Sequence, residues 1–231
     1  MPLATRSRSE AKAIQRSCRS SSCQSRHFCL GCDEPGSTIS FKPVKKQRRP
    51  LGEGDVLIDM KYCGVCHSDC VMARGLFSFL QGNAYDSGAF VPGHELAGVC
   101  AAVGPGVTKF KIGDHVGVGC MVDSCLNCAA CNRGEEQMCV KQVGTYGGKD
   151  LNGRAATYPK GQRTVGGYTT KMVVHERFGV LLPKEYPLEI AGPLMCAGVT
   201  MYGARVAPAT PVEPSSDRPS SHSGAPLSQT L

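Results

Sequence analysis

Four closely spaced cysteines constrain the fold of this chain more than any other feature. Cys125, Cys128, Cys131 and Cys139 stand in the order C-x2-C-x2-C-x7-C, so a single loop can place four thiolates around one ion. Zn²⁺ prefers tetrahedral coordination, and a closed set of four sulfurs without an open position is typical of a structural site. The pattern therefore predicts a module that is folded around metal and partly depends on it for stability.

A disulfide cluster in a secreted protein, or a group of free core thiols, is the alternative interpretation of these cysteines. Two-residue gaps recur in zinc sites, whereas cysteines this close together bridge poorly with one another. The metal interpretation is therefore favoured, and it implies a compartment in which thiols stay reduced. On this basis we predict a cytoplasmic location.

Charge is unevenly distributed along the sequence. The formal net charge is +7, but residues 1–50 carry +8 and the remaining residues carry −1. The predicted folded part therefore lacks the basic surface that nucleic-acid binding requires, and no nucleic-acid partner is predicted. The sequence also lacks a run of 18 apolar residues, so no membrane span and no membrane partner are predicted.

The two ends of the chain differ in composition from its middle. Residues 1–26 are rich in arginine and serine and poor in acidic residues, which fits an organelle transit peptide or a disordered tail equally well. We expect residues 1–40 to be disordered or transit-like. If residues 1–26 are a transit peptide, the alternative location is an organelle, and the sequence leaves open whether the N-terminal segment is cleaved. The C-x-x-C pair Cys29 and Cys32 gives only a weak signal for a third metal site. Residues 204–231, rich in proline and serine, are predicted to be a disordered tail.

Residues 41–203 are predicted to form the folded body. The segment 55–62 alternates apolar and polar side chains, as a half-buried strand does. Further strands are predicted over 95–103, 109–118, 166–176 and 178–182, and a helix over 188–202. Many short strands separated by turns predict a mainly β fold with a few helices and a small, barrel-like sheet.

Three residues outside the four-cysteine loop could form a second metal site. Cys66 follows the first strand of the folded body, His94 lies in the sequence Gly-His-Glu, and Cys196 lies in the predicted C-terminal helix. Two cysteines and one histidine leave one coordination position open, which separates a catalytic zinc from a structural one. Taken singly, each has another explanation: a buried histidine, a small apolar filler, or one more thiol of a cysteine-rich strand.

Taken together with their neighbours, these residues resemble a known family. The matching segments are YCGVCHSD (62–69), VPGHELAGV (91–99), KIGDHVGVG (111–119), the four-cysteine loop, GGYTTKMVV (166–174) and PLMCAGVTMY (193–202). In order and spacing they are similar to the zinc-dependent medium-chain alcohol dehydrogenases, especially the cinnamyl-alcohol-dehydrogenase-like branch. The resemblance implies a GroES-like, partly open β-barrel catalytic domain.

The resemblance also implies which residues hold metal and what they act on. Cys66, His94 and Cys196 correspond to the catalytic zinc ligands of the family, whereas Cys63 corresponds to no ligand. With the four-cysteine loop, this implies two zinc ions per chain. The implied substrates are primary alcohols, including aromatic or allylic ones, or the matching aldehydes, with zinc as the Lewis acid.

Four neighbouring residues receive supporting roles from the same resemblance. Ser68 corresponds to the hydroxyl that accepts the alcohol proton, and His67 lies where the family contacts the cofactor phosphate. Asp69 and Glu95 fit positions that orient the zinc ligands and tune the ion. Hydride transfer then requires a nicotinamide cofactor, which is usually NADP in this branch.

Three features depart from the family pattern. Val71 stands where the family commonly has a histidine that ends the proton relay, and the loop 75–90 is longer than usual. The sequence contains no G-x-G-x-x-G, so no Rossmann domain is predicted in this chain. We therefore expect a fragment, an incorrect gene model or a pseudoenzyme, with little activity alone and poor affinity for NADP.

Two functions remain open at this stage. The first is a zinc-dependent, NADP-linked alcohol dehydrogenase, favoured by the intact ligand set with Ser68. The alternative is a non-enzymatic, zinc-stabilised binding module that kept the fold and lost the reaction, favoured by Val71 and the missing cofactor domain. The sequence leaves open which alcohol is used, the choice between NAD and NADP, and the oligomeric state, since the family's dimers usually pair through the cofactor domain.

Overall fold

Short β-strands carry most of the regular structure in the computed structural model, which describes residues 26–35, 40–76, 85, 88–149 and 163–206. The strands among these residues are β1 (Arg26–Gly31), β2 (Lys42–Gln47), β3 (Asp55–Cys63), β4 (Leu96–Val103), β5 (His115–Val118), β6 (Met121–Asp123), β7 (Val143–Gly144), β8 (Lys171–His175) and β9 (Gly179–Leu182). The helices are α1 (His67–Ala73), α2 (Ala129–Asn132), α3 (Leu188–Ala191) and α4 (Ala197–Val206). Short 3₁₀ turns cover Glu136–Met138, Glu176–Phe178 and Gly192–Met195. The predicted mainly β fold with a few helices is confirmed.

The strands form three separate sheets. Five of them pair in the spatial order β8-β3-β4-β5-β9, and each neighbouring pair is antiparallel. β1 pairs with β2, and β6 pairs with β7, to give two-stranded sheets. The sheets do not close on one another, so the architecture is a partly open barrel.

The main hydrophobic core lies on one face of the five-stranded sheet. Val56 and Ile58 on β3, Leu96 on β4, Val116 on β5 and Val174 on β8 are all fully buried there. The period-2 pattern of the predicted first strand thus places its apolar side chains inward, as expected. Each such side chain contributes roughly 1.5–3 kcal/mol by leaving water.

The strand predicted over 109–118 is shorter in the structure, since β5 begins only at His115. A turn occupies the preceding residues: the carboxylate of Asp114 accepts a hydrogen bond from the Lys111 N–H at 3.0 Å. Gly113 within that turn has a φ of 92°, which glycine adopts readily and other residues rarely do. The turn therefore delays the regular strand until residue 115, although Gly113 and Asp114 already exchange backbone hydrogen bonds with Cys100 on β4.

Strand β1 corrects part of the sequence prediction for residues 1–40. These residues were expected to be disordered or transit-like, but residues 26–31 pair with β2 along their whole length. Cys29 and Cys32 are buried in two different hydrophobic clusters. Cys29 Sγ lies 3.3 Å from Thr169 Oγ1, and Cys32 Sγ lies 3.0 Å from Tyr85 Oη. Neither belongs to a group of potential metal ligands within the described part of the chain.

The helix predicted over 188–202 is interrupted. α3 ends at Ala191, a 3₁₀ turn covers Gly192–Met195, and α4 begins at Ala197. Pro193 lies in this turn, where it cannot donate the backbone hydrogen bond that a continuous α-helix needs. As a result, Cys196 lies in a break between two helical segments rather than in the middle of one helix.

Several predicted segments lie outside the described residues. They are the N-terminal residues 1–25, most of the long loop (77–84 and 86–87), and the tail from 207 onward. Within the ranges that are described, the helices are too short or too polar to cross a membrane.

Candidate metal centres

The four-cysteine loop connects β6 to β7, which hold its two ends together as an antiparallel pair. The four sulfur atoms lie within 4.8 Å of one another. Cys125 Sγ lies 3.5 Å from Cys139 Sγ, and Cys128 Sγ lies 3.5 Å from Cys131 Sγ. The structure thus brings together all four cysteines that the spacing selected, and their thiolates are ligands that suit a tetrahedral zinc ion.

Polar contacts fix the four-cysteine loop and attach it to the sheet. The buried Ser124 hydroxyl lies 3.2 Å from Cys131 Sγ. Arg177, which follows β8, donates to the Cys131 carbonyl at 3.0 Å and pairs with Glu136 at 2.7 Å. Leu126 has a φ of 56°, an uncommon backbone conformation for a residue other than glycine.

The hydrogen bonds within this loop shift the thiol pKa values in opposite directions. Backbone N–H groups, that of Asn127 foremost, lower the pKa of Cys125 to about 6. The Cys131 N–H lowers the pKa of Cys128, but the neighbouring cysteine side chains outweigh it and raise that pKa to about 11. The loop therefore already holds a thiolate near neutral pH, and a bound cation would favour the others.

A second group of potential metal ligands contains Cys66, His94, Glu95 and Cys196, whose ligand atoms all lie within 4.8 Å of one another. Cys66 immediately precedes α1, His94 and Glu95 immediately precede β4, and Cys196 occupies the break before α4. The structure brings together the three residues expected to bind a catalytic zinc. It also places the carboxylate of Glu95 among these ligand atoms, although Glu95 was expected only to orient the ligands and tune the ion.

The buried carboxylate of Asp69 organises this second group. Its Oδ1 accepts a hydrogen bond from the Gly93 N–H at 3.0 Å and lies 2.9 Å from His94 Nδ1. Its Oδ2 accepts from the Cys66 N–H at 3.0 Å and from the Tyr168 hydroxyl at 3.2 Å. Because a carboxylate only accepts, the ring proton of His94 belongs on Nδ1, and Nε2 is left for a metal ion.

Opposing effects set the pKa values of these buried groups. Burial raises the pKa of Asp69, but the hydrogen bonds and charge of its partners, His94 foremost, outweigh burial and lower it. Burial lowers the pKa of His94, but Asp69 and Cys66 outweigh burial and raise it. Burial, with the charges of Cys120 and Cys66, raises the pKa of Cys196 to about 12.

The residues predicted to accept the alcohol proton and to contact the cofactor phosphate both lie on α1. Ser68 is half-buried, and its Oγ lies 3.6 Å from Cys66 Sγ. His67 is exposed at the first position of the helix. Val71, one turn further along, is half-buried and offers no group for proton transfer.

Three residues near the second group were missed by reasoning from sequence. Tyr168 contacts Asp69, and the ring of Tyr146 packs edge-on against the ring of His94 at 5.2 Å. Cys120 influences the pKa of Cys196, and the preceding Gly119 packs against the Met195 carbonyl. The resemblance included Tyr168 in GGYTTKMVV without a role, and no spacing pattern connects any of the three to the ligands.

Comparison with known proteins identifies relatives of the described fold. Residues 52–184 match the family described as "Alcohol dehydrogenase GroES-like domain". A probable cinnamyl alcohol dehydrogenase 3 of Oryza sativa subsp. japonica is 42% identical over 175 residues, covering 75% of this chain and 43% of that protein. Vomilenine reductase of Rauvolfia serpentina is 41% identical, covering 76% of this chain and 44% of that protein.

Solved structures of similar fold include two cinnamyl alcohol dehydrogenases. The enzyme from Sorghum bicolor has a TM-score of 0.67 and 36% identity, covering 78% of this chain and 47% of that chain. The Helicobacter pylori enzyme, complexed with NADP(H), has a TM-score of 0.64 and 37% identity, covering 78% of this chain and 48% of that chain. The present chain thus spans less than half the length of these relatives.

Proposed function

Because this chain belongs to the alcohol dehydrogenase GroES-like domain family, we propose that it supplies the zinc-binding, catalytic part of a cinnamyl-type alcohol dehydrogenase. The reaction class is oxidation of a primary, aromatic or allylic alcohol, with NADP as the hydride acceptor, or the reverse reduction of the matching aldehyde, with NADPH as the hydride donor. The observation that carries the proposal is the convergence of Cys66, His94 and Cys196 from three distant parts of the sequence.

The donor set suits a catalytic zinc ion. Two thiols and one imidazole leave one coordination position open for substrate, and the carboxylate of Glu95 lies close enough to tune the ion. The hydrogen bond between Asp69 and His94 Nδ1 directs Nε2 to the metal side of the ring. Held by these residues, zinc would supply Lewis-acid polarisation of an alcohol or aldehyde oxygen.

The chain's own side chains would handle the proton and the cofactor. We assign Ser68, next to Cys66, to accept the alcohol proton, and the exposed His67 to contact a cofactor phosphate. NADP is proposed because the similar Helicobacter pylori enzyme was solved with NADP(H). Asp69 accepts hydrogen bonds from the Cys66 and Gly93 N–H groups, and so fixes the segment that carries Cys66 relative to the segment that carries His94.

We assign the four-cysteine loop to a second, structural zinc ion, which makes two ions per chain. Its ligands are Cys125, Cys128, Cys131 and Cys139, and a set of four sulfurs leaves no position for substrate. We propose residues 41–203 as the catalytic domain, to which strand β1 also belongs because it pairs with β2. The cytoplasm is the proposed location, with an organelle as the alternative if residues 1–26 act as a transit peptide.

A non-enzymatic, zinc-stabilised module remains the second candidate. Val71 favours it, because this half-buried apolar side chain cannot pass on a proton from Ser68. Both candidates bind zinc, so metal binding alone does not separate them.

Turnover of an aromatic allylic alcohol separates the two candidates. The zinc-loaded chain is incubated with NADP and the alcohol, and formation of reduced nicotinamide is followed by absorbance. We expect slow turnover that is lost in Cys66→Ser and retained in Cys63→Ser, whose thiol lies outside the ligand group. Turnover absent from the wild-type chain, or equal in the two variants, would favour the non-enzymatic module.

A further inference from the structure

Tyr168 contributes the fourth hydrogen bond to the carboxylate of Asp69. Its hydroxyl donates to Oδ2 at 3.2 Å, and the Cys66 N–H donates to the same oxygen at 3.0 Å. The other oxygen receives the Gly93 N–H and the His94 ring. A buried carboxylate with four partners in three chain segments has little freedom to rotate, so each partner restricts the direction in which the imidazole points.

The backbone on both sides of Tyr168 is fixed. Its N–H donates to the Pro92 carbonyl at 3.0 Å, and the Gly167 N–H donates to the Gly93 carbonyl at 2.8 Å. The Tyr168 carbonyl accepts from the Leu30 N–H on β1 at 2.8 Å. Strand β1, which precedes the residues matched by the family, thus helps to hold this tyrosine against the site.

The glycine opposite Tyr168 permits this close approach. Gly93 has a φ of 104°, and a Cβ atom there would lie 2.7 Å from the Tyr168 nitrogen. Such contacts do not occur in proteins, so a side chain at residue 93 would push the tyrosine away from Asp69. The segment carrying His94 and the segment carrying Tyr168 therefore fit together only through a glycine.

We infer that Tyr168 is a positioning residue, whose hydroxyl fixes Asp69 and, through Asp69, the orientation in which His94 presents Nε2 to metal. The inference rests on the proposed zinc set of Cys66, His94 and Cys196. Groups that hydrogen-bond directly to a ligating histidine commonly tune metal retention, with losses of about 10–100-fold when they are removed. Tyr168 acts on the ligand through two successive hydrogen bonds, first to Asp69 and then from Asp69 to His94. We therefore expect its removal to cause a loss at the lower end of that range.

A second tyrosine provides a matched control. The half-buried Tyr146 also lies beside His94, with ring centroids 5.2 Å apart. Its contact with the histidine is made by the ring, and among the described residues its hydroxyl makes no hydrogen bond to Asp69. Tyr146→Phe therefore removes the same atom from the same neighbourhood without touching the carboxylate.

The test measures zinc release from the full chain to a chromophoric chelator in excess. The wild-type chain is expected to release zinc in two phases, and Cys66→Ser identifies one of them by abolishing it. Tyr168→Phe is expected to accelerate that phase by about tenfold and leave the other unchanged, whereas Tyr146→Phe changes neither. In a double-mutant cycle, Tyr168→Phe added to Asp69→Asn is expected to give no further acceleration, because the hydroxyl acts through the carboxylate.

Distinct outcomes overturn the inference and the proposed function. If Cys66→Ser keeps both phases, the proposed zinc set is wrong, and the role of Tyr168 falls with it. If Cys66→Ser removes one phase but Tyr168→Phe leaves that phase unchanged, the zinc set stands and the positioning role is wrong. Equal acceleration of both phases by Tyr168→Phe, or additive effects in the cycle, would indicate general loosening of the fold and would also overturn it.

Discussion

The two groups of potential metal ligands are built in opposite ways. All four cysteines of the loop fall within residues 125–139, and the hairpin of β6 and β7 closes that loop. The second group draws its ligands from residue 66, residues 94–95 and residue 196. A local set needs little loop closure before metal can bind, whereas the distant set must wait until the sheet has placed its segments.

This difference suggests that the first group mainly stabilises the fold, whereas the second mainly determines what the site binds. The four-cysteine loop has few apolar residues of its own, and metal would replace the core that it lacks. The Cys66 group adjoins buried Leu96 and Ala97 on β4, so packing holds its segments in place without metal. We therefore expect damage to the first group to unfold the chain, and damage to the second to change only what the site binds.

Loss of one ligand from each group gives the largest expected contrast. Cys139→Ser leaves three sulfurs in the four-cysteine loop and should destabilise the fold by more than about 4 kcal/mol, as loss of a structural metal does. At roughly 2–4 °C per kcal/mol for a domain of this size, the Tm falls by about 10 °C. Cys66→Ser should lower the Tm much less in the same calorimetric scan. Equal losses in the two variants would remove the contrast between the groups.

Asp69→Asn sharpens the comparison at the second group alone. An amide can donate as well as accept, so it cannot receive all four hydrogen bonds that the carboxylate receives. We expect zinc affinity at the Cys66 group to fall by about 10–100-fold and affinity at the four-cysteine loop to stay constant. Competitive titration with a calibrated chelator measures both affinities. A parallel loss at the loop would mean that the two groups are coupled.

Alkylation at different pH values tests the thiols of the second group after its zinc has been removed. The pKa of Cys66 is lowered, because the Ser68 and His94 hydrogen bonds outweigh burial, whereas burial raises that of Cys196 to about 12. Only the thiolate reacts, so Cys66 should be alkylated first near neutral pH. Below its pKa, Cys196 should react about tenfold faster for each added pH unit. Peptide mapping by mass spectrometry gives both rates, and a reversed order would contradict these environments.

Arg177→Ala is the mildest expected change. It removes the hydrogen bond to the Cys131 carbonyl and the ion pair with Glu136, which together attach the four-cysteine loop to β8. We expect a loss of about 1 kcal/mol in the free energy of unfolding, measured by urea titration. Arg133→Ala is the matched control, because its pair with Glu135 is solvent-exposed and should contribute nothing measurable. A larger loss in the control would reverse this assignment.

Sequence predicts the two groups to different extents for the same physical reason. The spacing of the four cysteines encodes their proximity directly, because their ligands lie in one loop. The proximity of Cys66, His94 and Cys196 was inferred from resemblance to a family, since no local pattern connects residues that meet only through the sheet. Tyr168 received no role at all, because its contact with Asp69 depends on three backbone hydrogen bonds to other segments.

The fold shows the same limit. The alternation of apolar and polar residues over 55–62 predicted β3 nearly to its ends. The strand predicted over 95–103, before the turn at residues 104–106, also matches β4 closely. Strand β1 was missed, since its exposed Phe28 and Leu30 and its buried Cys29 do not give a composition typical of a strand in a folded domain. Its structure comes from pairing with β2 and from contacts with residues 168–170.

Cys196, in the break before α4, is tied to that helix by hydrogen bonds. Its carbonyl accepts hydrogen bonds from both the N–H and the hydroxyl of Thr200, at 3.1 and 2.9 Å, so the cysteine and the first turn of the helix move as one piece. Along most of its length α4 projects into solvent, with Met201 and Tyr202 exposed. A movement of the first turn of α4 would therefore also move the backbone of Cys196, so the tilt of this helix and the position of one ligand residue are linked.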